Sequence, residues 1–308
     1  MDKIAVIETS VAGRIWAIVF ARAGFAVSLY GSSAANGADT LQLIRARLQE
    51  LRAYGQLAEP EDEVLARIAP AASLEAALDG AIHAQESGED TLAAKIAMFA
   101  RMDAIAGPDT VLASSTSTVL PSAFSETIPG RHRCLVVHPV QPPYAVRAVE
   151  IVPGQWTAAD VVARSRVLIE RCGLVPIMIK REVPGYVINS LQIALVSEAF
   201  RLVAEGVATA EDCEAVVKHG LGPRWSFMGP FESGGVNAAG GIADFFGRQA
   251  AFYETVRANQ VPVRLTPELI AAVAEALSGS VRPDNATARR EWRDRRLMAL
   301  GKHQAEQP

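Results

Sequence analysis

The chain has 308 residues, half of them hydrophobic and 21% charged, with a formal net charge of −4. This length allows two domains with sizeable cores, and the small charge argues against nucleic acid or a membrane surface as the main partner. The 3 cysteines lack metal-ligand spacing and are expected to be free thiols, with no bound metal. Neither a leader pattern nor an apolar run of membrane length is visible, which predicts a cytoplasmic protein.

The first sixty residues have the pattern of a strand–helix–strand unit. Residues 3–7 are a short β-branched run, and helical apolar spacing follows through Ile15, Ile18 and Val19. Gly24 ends this helix, and residues 27–30 predict a second strand. A long amphipathic helix is predicted next, over 38–57.

Strand and helix patterns then alternate. Further strands are predicted at 81–84, 110–113, 134–137, 148–152 and 175–179, with helices near 90–105 and 158–172. Such alternation predicts an α/β fold with a Rossmann-like, doubly wound and mostly parallel sheet, covered by helices on both faces.

After Pro184-Gly185 only helical patterns remain. They fall at 187–205, 210–219, 240–256, 266–278 and 285–301. We therefore predict an α/β domain over residues 1–182 and an all-helical C-terminal domain over residues 183–308.

The turn after the first strand has the position of a dinucleotide phosphate loop. The usual fingerprint carries three glycines, which allow the tight turn, the approach of backbone to pyrophosphate, and close helix–strand packing. Only the third, Gly13, is present, and Glu8 and Ser10 stand at the first two positions. Ser10 adds a side chain at the phosphate position, and Glu8 either adds negative charge there, points away, or caps the helix itself.

The end of the second strand also departs from the fingerprint. An acid at this point usually binds the adenosine ribose, but the strand ends in Gly31, followed by Ser32 and Ser33. No arginine that could bind a 2′-phosphate follows before Arg45.

Four polar residues follow or end the later strands and the Pro184-Gly185 turn: Ser117, His138, Glu150 and Asn189. An imidazole suits proton transfer near neutral pH, and a carboxylate partner fixes its tautomer. Hydroxyl and amide groups supply donors for a developing alkoxide or enolate. The four residues therefore predict an acid–base site, the alternative being satisfied polar groups at strand and helix ends.

The chain resembles the 3-hydroxyacyl-CoA dehydrogenase superfamily, in the branch of lambda-crystallin and L-gulonate 3-dehydrogenase. The resemblance rests on these motifs and on the segments 16–24, 85–87 and 222–232, and it runs from residue 3 to about 250. It implies that His138 is the general base, that Glu150 orients it, and that Ser117 and Asn189 hydrogen-bond the substrate oxygen.

The resemblance also implies a cleft for NAD or NADP. The implied lining residues are Ser10, Val11, Ala12, Gly13, Gly31, Asp90, Lys95 and Gln141. Gln141 replaces the asparagine usual in the family. Lys95 could pair with a phosphate or acyl group, or be an exposed helix lysine.

Two further expectations concern the helical domain. Arg224 is a candidate ligand for a substrate carboxylate, with a structural ion pair as the alternative. The resemblance implies a homodimer through this domain, and the apolar residues of the helix that begins at 187 suit such an interface.

Three functions remain open from the sequence. The first is a 3-hydroxyacyl-CoA dehydrogenase-like oxidoreductase that acts on a β-hydroxy or β-keto acid or acyl thioester. The second is an enzyme of the same fold that works without a cofactor and uses His138 and Glu150 for proton transfer in a cleavage, cyclisation, dehydration or decarboxylation. The third is a non-catalytic, crystallin-like binding or structural protein.

Overall fold

The computed structural model describes residues 1–31 and 37–307, so Ser32 and Ser33 lie outside the described residues. The chain forms two compact units: residues 1–190 with 292–308 make up unit 1, and residues 191–291 make up unit 2. Unit 1 extends past residue 182, the predicted end of the α/β domain, and it also includes the last segment of the chain.

Unit 1 is built on one sheet of 8 strands. These are β1 (Lys3–Ile7), β2 (Ala26–Tyr30), β3 (Ile68–Pro70), β4 (Ala81–Glu86), β5 (Val111–Ser114), β6 (Cys134–Pro139), β7 (Ala148–Pro153) and β8 (Val175–Met178). The spatial order is β3-β2-β1-β4-β5-β6-β7-β8. The predicted Rossmann-like sheet is confirmed, and β3 is an additional edge strand that lacks a periodic signal in its three residues.

Every neighbouring pair of strands is parallel except β6 and β7, which are antiparallel. The order reverses between β1 and β4, which lie side by side although two strands separate them in sequence. In open α/β sheets, ligands bind at the carboxyl ends of the strands near such a reversal.

Eight helices flank this sheet in the described part of unit 1. They are α1 (Val11–Arg22), α2 (Gly37–Ala53), α3 (Glu61–Leu65), α4 (Leu74–Leu78), α5 (Leu92–Ile105), α6 (Pro121–Ser125), α7 (Ala159–Arg171) and the C-terminal α14 (Ala286–Ala305), most of which belongs to this unit. One apolar core includes Trp16, Phe20 and Leu168. The other includes Phe99, Phe124 and Tyr186. The sheet is therefore buried on both faces, as the alternating pattern predicts.

The C-terminal helix α14 is fixed to unit 1 by specific contacts. Met298 is buried in the first core, and its carbonyl oxygen accepts a hydrogen bond from Gln56 Nε2 at 3.2 Å. The Tyr144 hydroxyl donates to Asp294 Oδ2 at 2.8 Å. These contacts explain why the segment from residue 292 belongs to the first unit.

Unit 2 is helical throughout, as predicted. It contains most of α8 (Ile188–Ala204), then α9 (Ala210–Val216), α10 (Gly222–Trp225), α11 (Pro230–Gly235), α12 (Gly241–Ala258) and α13 (Pro267–Ala276). Among residues 191–291, all of which the structure describes, Ala210 is the one buried apolar side chain. In the described residues of the whole chain, no helix has the length and apolar character to cross a membrane.

His83 is a buried polar residue in the central strand β4. Its Nε2 lies 3.0 Å from Gln85 Oε1, and in the described part of the chain its Nδ1 has no hydrogen-bond partner. Burial lowers the pKa of His83 from 6.5 to about 4, although the hydrogen bond with Gln85 opposes this shift. The ring is therefore neutral in the folded protein at neutral pH.

We predict that His83 makes the protein sensitive to acid. Between pH 6.5 and about 4 the unfolded chain binds a proton at this residue and the folded chain does not, so the free energy of unfolding falls as the pH falls. The expected loss is about 3 kcal/mol over this window. Urea titrations at several pH values should show a shallower pH dependence for His83→Gln. His132→Gln, which removes an exposed imidazole, is the matched control, and an unchanged slope in His83→Gln would contradict the assignment.

Candidate active site

His138 and Glu150 meet across the antiparallel pair of strands. They are directly opposite each other in the β6–β7 register, and such residues project their side chains from the same face of the sheet. The distance from His138 Nδ1 to Glu150 Oε2 is 2.8 Å. The two side chains that the sequence predicts as an acid–base pair are therefore in direct hydrogen-bond contact.

The Glu150 carboxylate is also held by the start of α8. Its Oε1 accepts hydrogen bonds from the N–H groups of Val187 and Ile188 at 2.8 and 2.9 Å. Burial by itself raises the pKa of Glu150, but hydrogen bonds from His138, Ile188 and Val187 lower it below its ordinary value. The positive end of the helix dipole favours the same charged form. Glu150 is thus a fixed acceptor although it is fully buried.

This contact decides which nitrogen of His138 can act as a base. An ionised carboxylate has no hydrogen to donate, so His138 Nδ1 carries the proton and donates it to Glu150. The lone pair of the imidazole is then on Nε2. The His138 side chain is 10% exposed and the Glu150 side chain is 0% exposed, so the base can be reached while the acid that orients it cannot.

Tyr186 is a third member of this site that sequence reasoning did not single out. It has a positive φ of 47° and follows Gly185, whose φ is 76°. Its ring centroid lies 5.7 Å from that of His138, and its hydroxyl donates to the Val119 carbonyl oxygen at 3.0 Å. The Pro184-Gly185 turn just before a helix is the sequence signal that could have identified it.

Ser117 and Asn189 lie on the two segments that Tyr186 connects. Ser117 is half-buried in the loop after β5, two residues before Val119, and Asn189 is half-buried in the first turn of α8. Asp90 fixes the serine loop, because it accepts hydrogen bonds from the hydroxyls of Thr116 and Thr118. Asp90 thus stabilises the loop in which Ser117 lies.

Lys95 is not an exposed helix lysine, so that alternative is wrong. It is 1% exposed, and its Nζ lies 2.9 Å from both carboxylate oxygens of Glu86. Glu86 also accepts from the Ser114 hydroxyl at 2.8 Å. A buried ammonium requires such a partner, and Glu86, at the end of β4, was not singled out as one.

Four residues of the predicted cofactor cleft lie together at the start of α1. Ser10 caps α1, whose first turn contains Val11, Ala12 and Gly13. The cap is therefore Ser10, and not Glu8 as one alternative had it. Gln141 lies apart from these residues in sequence, exposed in the loop between β6 and β7.

Gly13 and Gly31 allow close packing around this turn. A Cβ on Gly13 would overlap the Glu8 carbonyl oxygen, and one on Gly31 would lie 2.6 Å from Thr9 Oγ1. Both positions therefore tolerate only glycine while their neighbours keep their present places.

Arg224 is in α10 of unit 2 and is exposed. The acid–base pair belongs to unit 1. A role of Arg224 in binding a substrate carboxylate therefore stays a prediction.

Comparisons with known proteins agree with the fold. The sequence model described as 3-hydroxyacyl-CoA dehydrogenase, NAD binding domain, matches residues 3–183, and that of the C-terminal domain matches residues 185–272. A lambda-crystallin homolog of Homo sapiens is 35% identical over 97% of this chain and 95% of its own length.

Two dehydrogenases are also similar. L-carnitine dehydrogenase of Pseudomonas aeruginosa is 36% identical over 74% of this chain and 72% of its own length. The crystal structure of 3-hydroxybutyryl-CoA dehydrogenase from Escherichia coli matches with a TM-score of 0.71 and 27% identity, over 92% of this chain and 58% of that one. The chain belongs to the 3-hydroxyacyl-CoA dehydrogenase superfamily, in the branch that includes the lambda-crystallins.

We predict that Glu150→Gln reverses the tautomer of His138. The amide oxygen can keep the bonds from Val187 and Ile188, but the amide NH₂ then faces Nδ1. Two facing donors repel, so the ring proton moves to Nε2 and the base is lost. Nitrogen-15 NMR of the histidine ring should show this change without any substrate.

Glu150→Ala is the comparison variant for stability. It removes the acceptor of two backbone N–H groups as well, and we expect it to lower the free energy of unfolding by about 1–3 kcal/mol more than Glu150→Gln does.

A ring that keeps its proton on Nδ1 in Glu150→Gln would contradict the proposed role of the carboxylate.

Proposed function

We propose that the chain is an enzyme of the 3-hydroxyacyl-CoA dehydrogenase type, in which His138 Nε2 exchanges a proton with the oxygen of a β-hydroxy or β-keto acid or acyl thioester. The observation that carries this proposal is the 2.8 Å contact between His138 Nδ1 and Glu150 Oε2. It leaves the other ring nitrogen basic, at the edge of the sheet where ligands of such folds bind.

Each other residue of the site has a defined part in this proposal. Glu150 keeps the imidazole in one tautomer and stabilises the imidazolium when the proton arrives. Ser117 and Asn189 are neutral donors for the substrate oxygen as its charge develops. Tyr186 holds the loop that carries Ser117 beside the segment that carries Asn189, through its bond to Val119.

The names of the similar dehydrogenases support a substrate class. Both L-carnitine and 3-hydroxybutyryl-CoA, named in the similar dehydrogenases, carry a hydroxyl on the β-carbon of a carboxylic acid or thioester. We propose that this chain takes a substrate with the same β-oxygen. Family membership favours an oxidation or reduction at that carbon, with NAD or NADP as the redox partner.

A second candidate is proton transfer on the same class of substrate without a nucleotide. The observation that favours it is the capping of α1 by Ser10, whose hydroxyl accepts from the Gly13 N–H at 3.2 Å. This N–H belongs to the group of donors that a dinucleotide phosphate requires.

We predict that His138→Gln lowers turnover by about 10²–10⁴-fold, because the general base is lost. The assay supplies L-carnitine or 3-hydroxybutyryl-CoA, each with NAD, with NADP and without nucleotide, and follows both substrate and product by mass spectrometry. Nucleotide-dependent turnover supports the dehydrogenase, and nucleotide-independent turnover supports the second candidate.

His132→Gln, at an exposed position outside the site, is the control and should keep the parent rate. Equal turnover in His138→Gln and the parent would contradict the acid–base role. That result would favour the third interpretation, a crystallin-like protein without catalysis.

We further propose that unit 2 mediates a homodimer. Among residues 191–291, all of them described, only Ala210 is a buried apolar side chain, whereas 18 large hydrophobic residues are exposed. Patches of this extent on a helical unit of this size indicate a covered interface. On α8 they include Leu191, Ile193, Leu195 and Val196. Since the same surface recurs on every copy, a second chain supplies the matching apolar face.

We predict that Leu191→Asp converts a dimer to a monomer with a lower melting temperature. Leu191 is 64% exposed in the single chain, and Leu43, which is 55% exposed on α2 of unit 1, provides the matched control. Light scattering after size exclusion should give twice the chain mass for the parent and for Leu43→Asp. A monomeric parent with the same stability as Leu191→Asp would contradict the proposal.

A further inference from the structure

The crevice between β1 and β4 is the place where this fold would hold a dinucleotide. The strand order reverses there, and α1 begins at its edge. A helix start at such a point supplies free N–H groups and positive potential to a phosphate. Whether a dinucleotide fits depends on how the chain uses those groups.

The Ser10 side chain already binds one of these N–H groups. Its Oγ accepts a hydrogen bond from the Gly13 N–H at 3.2 Å and donates one to the Ser87 carbonyl oxygen at 2.7 Å. The hydroxyl is thus tied to the turn after β1 and to the turn after β4, on both sides of the crevice. A side-chain cap of this kind satisfies one of the free N–H groups at a helix start, so a phosphate that binds the Gly13 N–H would have to displace the Ser10 hydroxyl.

Glu8 extends into the same crevice. Its φ is +78°, in the region that favours glycine, and its N–H donates to the Tyr30 carbonyl oxygen at 2.7 Å. A Cβ on Gly88 would lie 2.9 Å from Glu8 Cγ. The glutamate side chain therefore lies against the turn after β4.

The charges around this turn also disfavour a diphosphate. Residues 8–14 and 86–95 contain four acids, Glu8, Glu86, Glu89 and Asp90, and two bases, Arg14 and Lys95. Lys95 is paired with Glu86, and Arg14 Nη1 donates to the Thr9 carbonyl oxygen at 2.7 Å. One carboxylate 4 Å from a phosphate charge costs about 1 kcal/mol in water and about 4 kcal/mol at an effective dielectric constant of 20.

A second contact, between Gly31 and Thr9, lies at the end of β2, where the adenosine ribose of a dinucleotide would bind. A Cβ at Gly31 would lie 2.6 Å from Thr9 Oγ1 and 2.9 Å from Thr9 Cγ2. Thr9 therefore fills the space that the first carbon of a ribose-binding acid would need. Because Thr9 is branched at Cβ, rotation of its side chain does not clear this space.

We infer that the crevice between β1 and β4 is closed to NAD and NADP by the chain's own residues Glu8, Thr9 and Ser10. Gly31 belongs to the same arrangement, because Thr9 leaves no room for a larger residue there. The donor set, the charge and the shape of this turn do not fit a dinucleotide pyrophosphate. This inference rests on the proposed acid–base site and favours the second of its two candidate functions, in which His138 and Glu150 transfer a proton and the electron pair stays within the substrate.

The test is the binding of NADH and NADPH, measured by nucleotide fluorescence and by calorimetry. The parent should show no saturation up to about 1 mM nucleotide. The variant Glu8→Gly/Thr9→Ala/Ser10→Gly/Gly31→Asp should bind NADH about 100-fold more tightly, because it frees the Gly13 N–H, removes a carboxylate and makes room for the ribose ligand.

Two comparison variants locate the effect. Glu8→Gly/Ser10→Gly/Gly31→Asp retains Thr9 and should bind more weakly than the fourfold variant, since the new side chain meets the threonine. Glu89→Gln removes a nearby exposed acid without opening the cap, and it should not gain binding. Circular dichroism melts establish that each variant is folded.

Saturable binding of NADH or NADPH by the parent with a Kd below about 1 mM would overturn the inference, whatever the variants do. A folded fourfold variant without any gain would overturn the assignment to these four residues. Neither result bears on His138→Gln, whose loss or retention of turnover tests the proposed acid–base site separately.

Discussion

The contact between His138 and Glu150 depends on a carboxylate that is buried and yet fully satisfied. Strand pairing sets Glu150 opposite the histidine, and the start of α8 supplies two N–H donors to its second oxygen. A buried carboxylate without such partners would bind a proton or destabilise the fold. Here the same three bonds keep it ionised and set the tautomer of the imidazole. The strand pairing, the turn at Gly185 and the helix dipole together keep the proton of the His138 ring on Nδ1.

The acid–base site and the nucleotide turn are organised differently. At the acid–base site, the Glu150 carboxylate orients the imidazole of His138 and leaves its Nε2 with a lone pair for a substrate. At the nucleotide turn, the Ser10 hydroxyl caps the helix start and the Glu8 side chain lies against Gly88. An anion at this turn would have to compete with Ser10 for the Gly13 N–H. The fold of the dehydrogenases is therefore retained together with a phosphate turn of different chemistry.

The two units also obtain their stability differently. Unit 1 has apolar cores on both faces of its sheet, and α14 is joined to the first of them through Met298. Residues 191–291, which the structure describes in full, bury a single apolar side chain, that of Ala210. The conformational entropy of ordering so many helical residues requires apolar burial that the single chain does not supply. The proposed dimer would provide that burial.

Periodicity in the sequence determined the strands, the main helices and the Rossmann-like class, because local exposure follows the 2.0 and 3.6 residue repeats of regular structure. The motifs also identified His138 and Glu150 as partners. Only the tertiary structure decided that β7 runs antiparallel to β6, that Lys95 is buried against Glu86, that the Ser10 hydroxyl donates to the Ser87 carbonyl oxygen, and that α14 returns to unit 1. Each of these depends on contacts between residues distant in sequence, and a local pattern carries no information about which distant group will satisfy a buried charge or cover an apolar face.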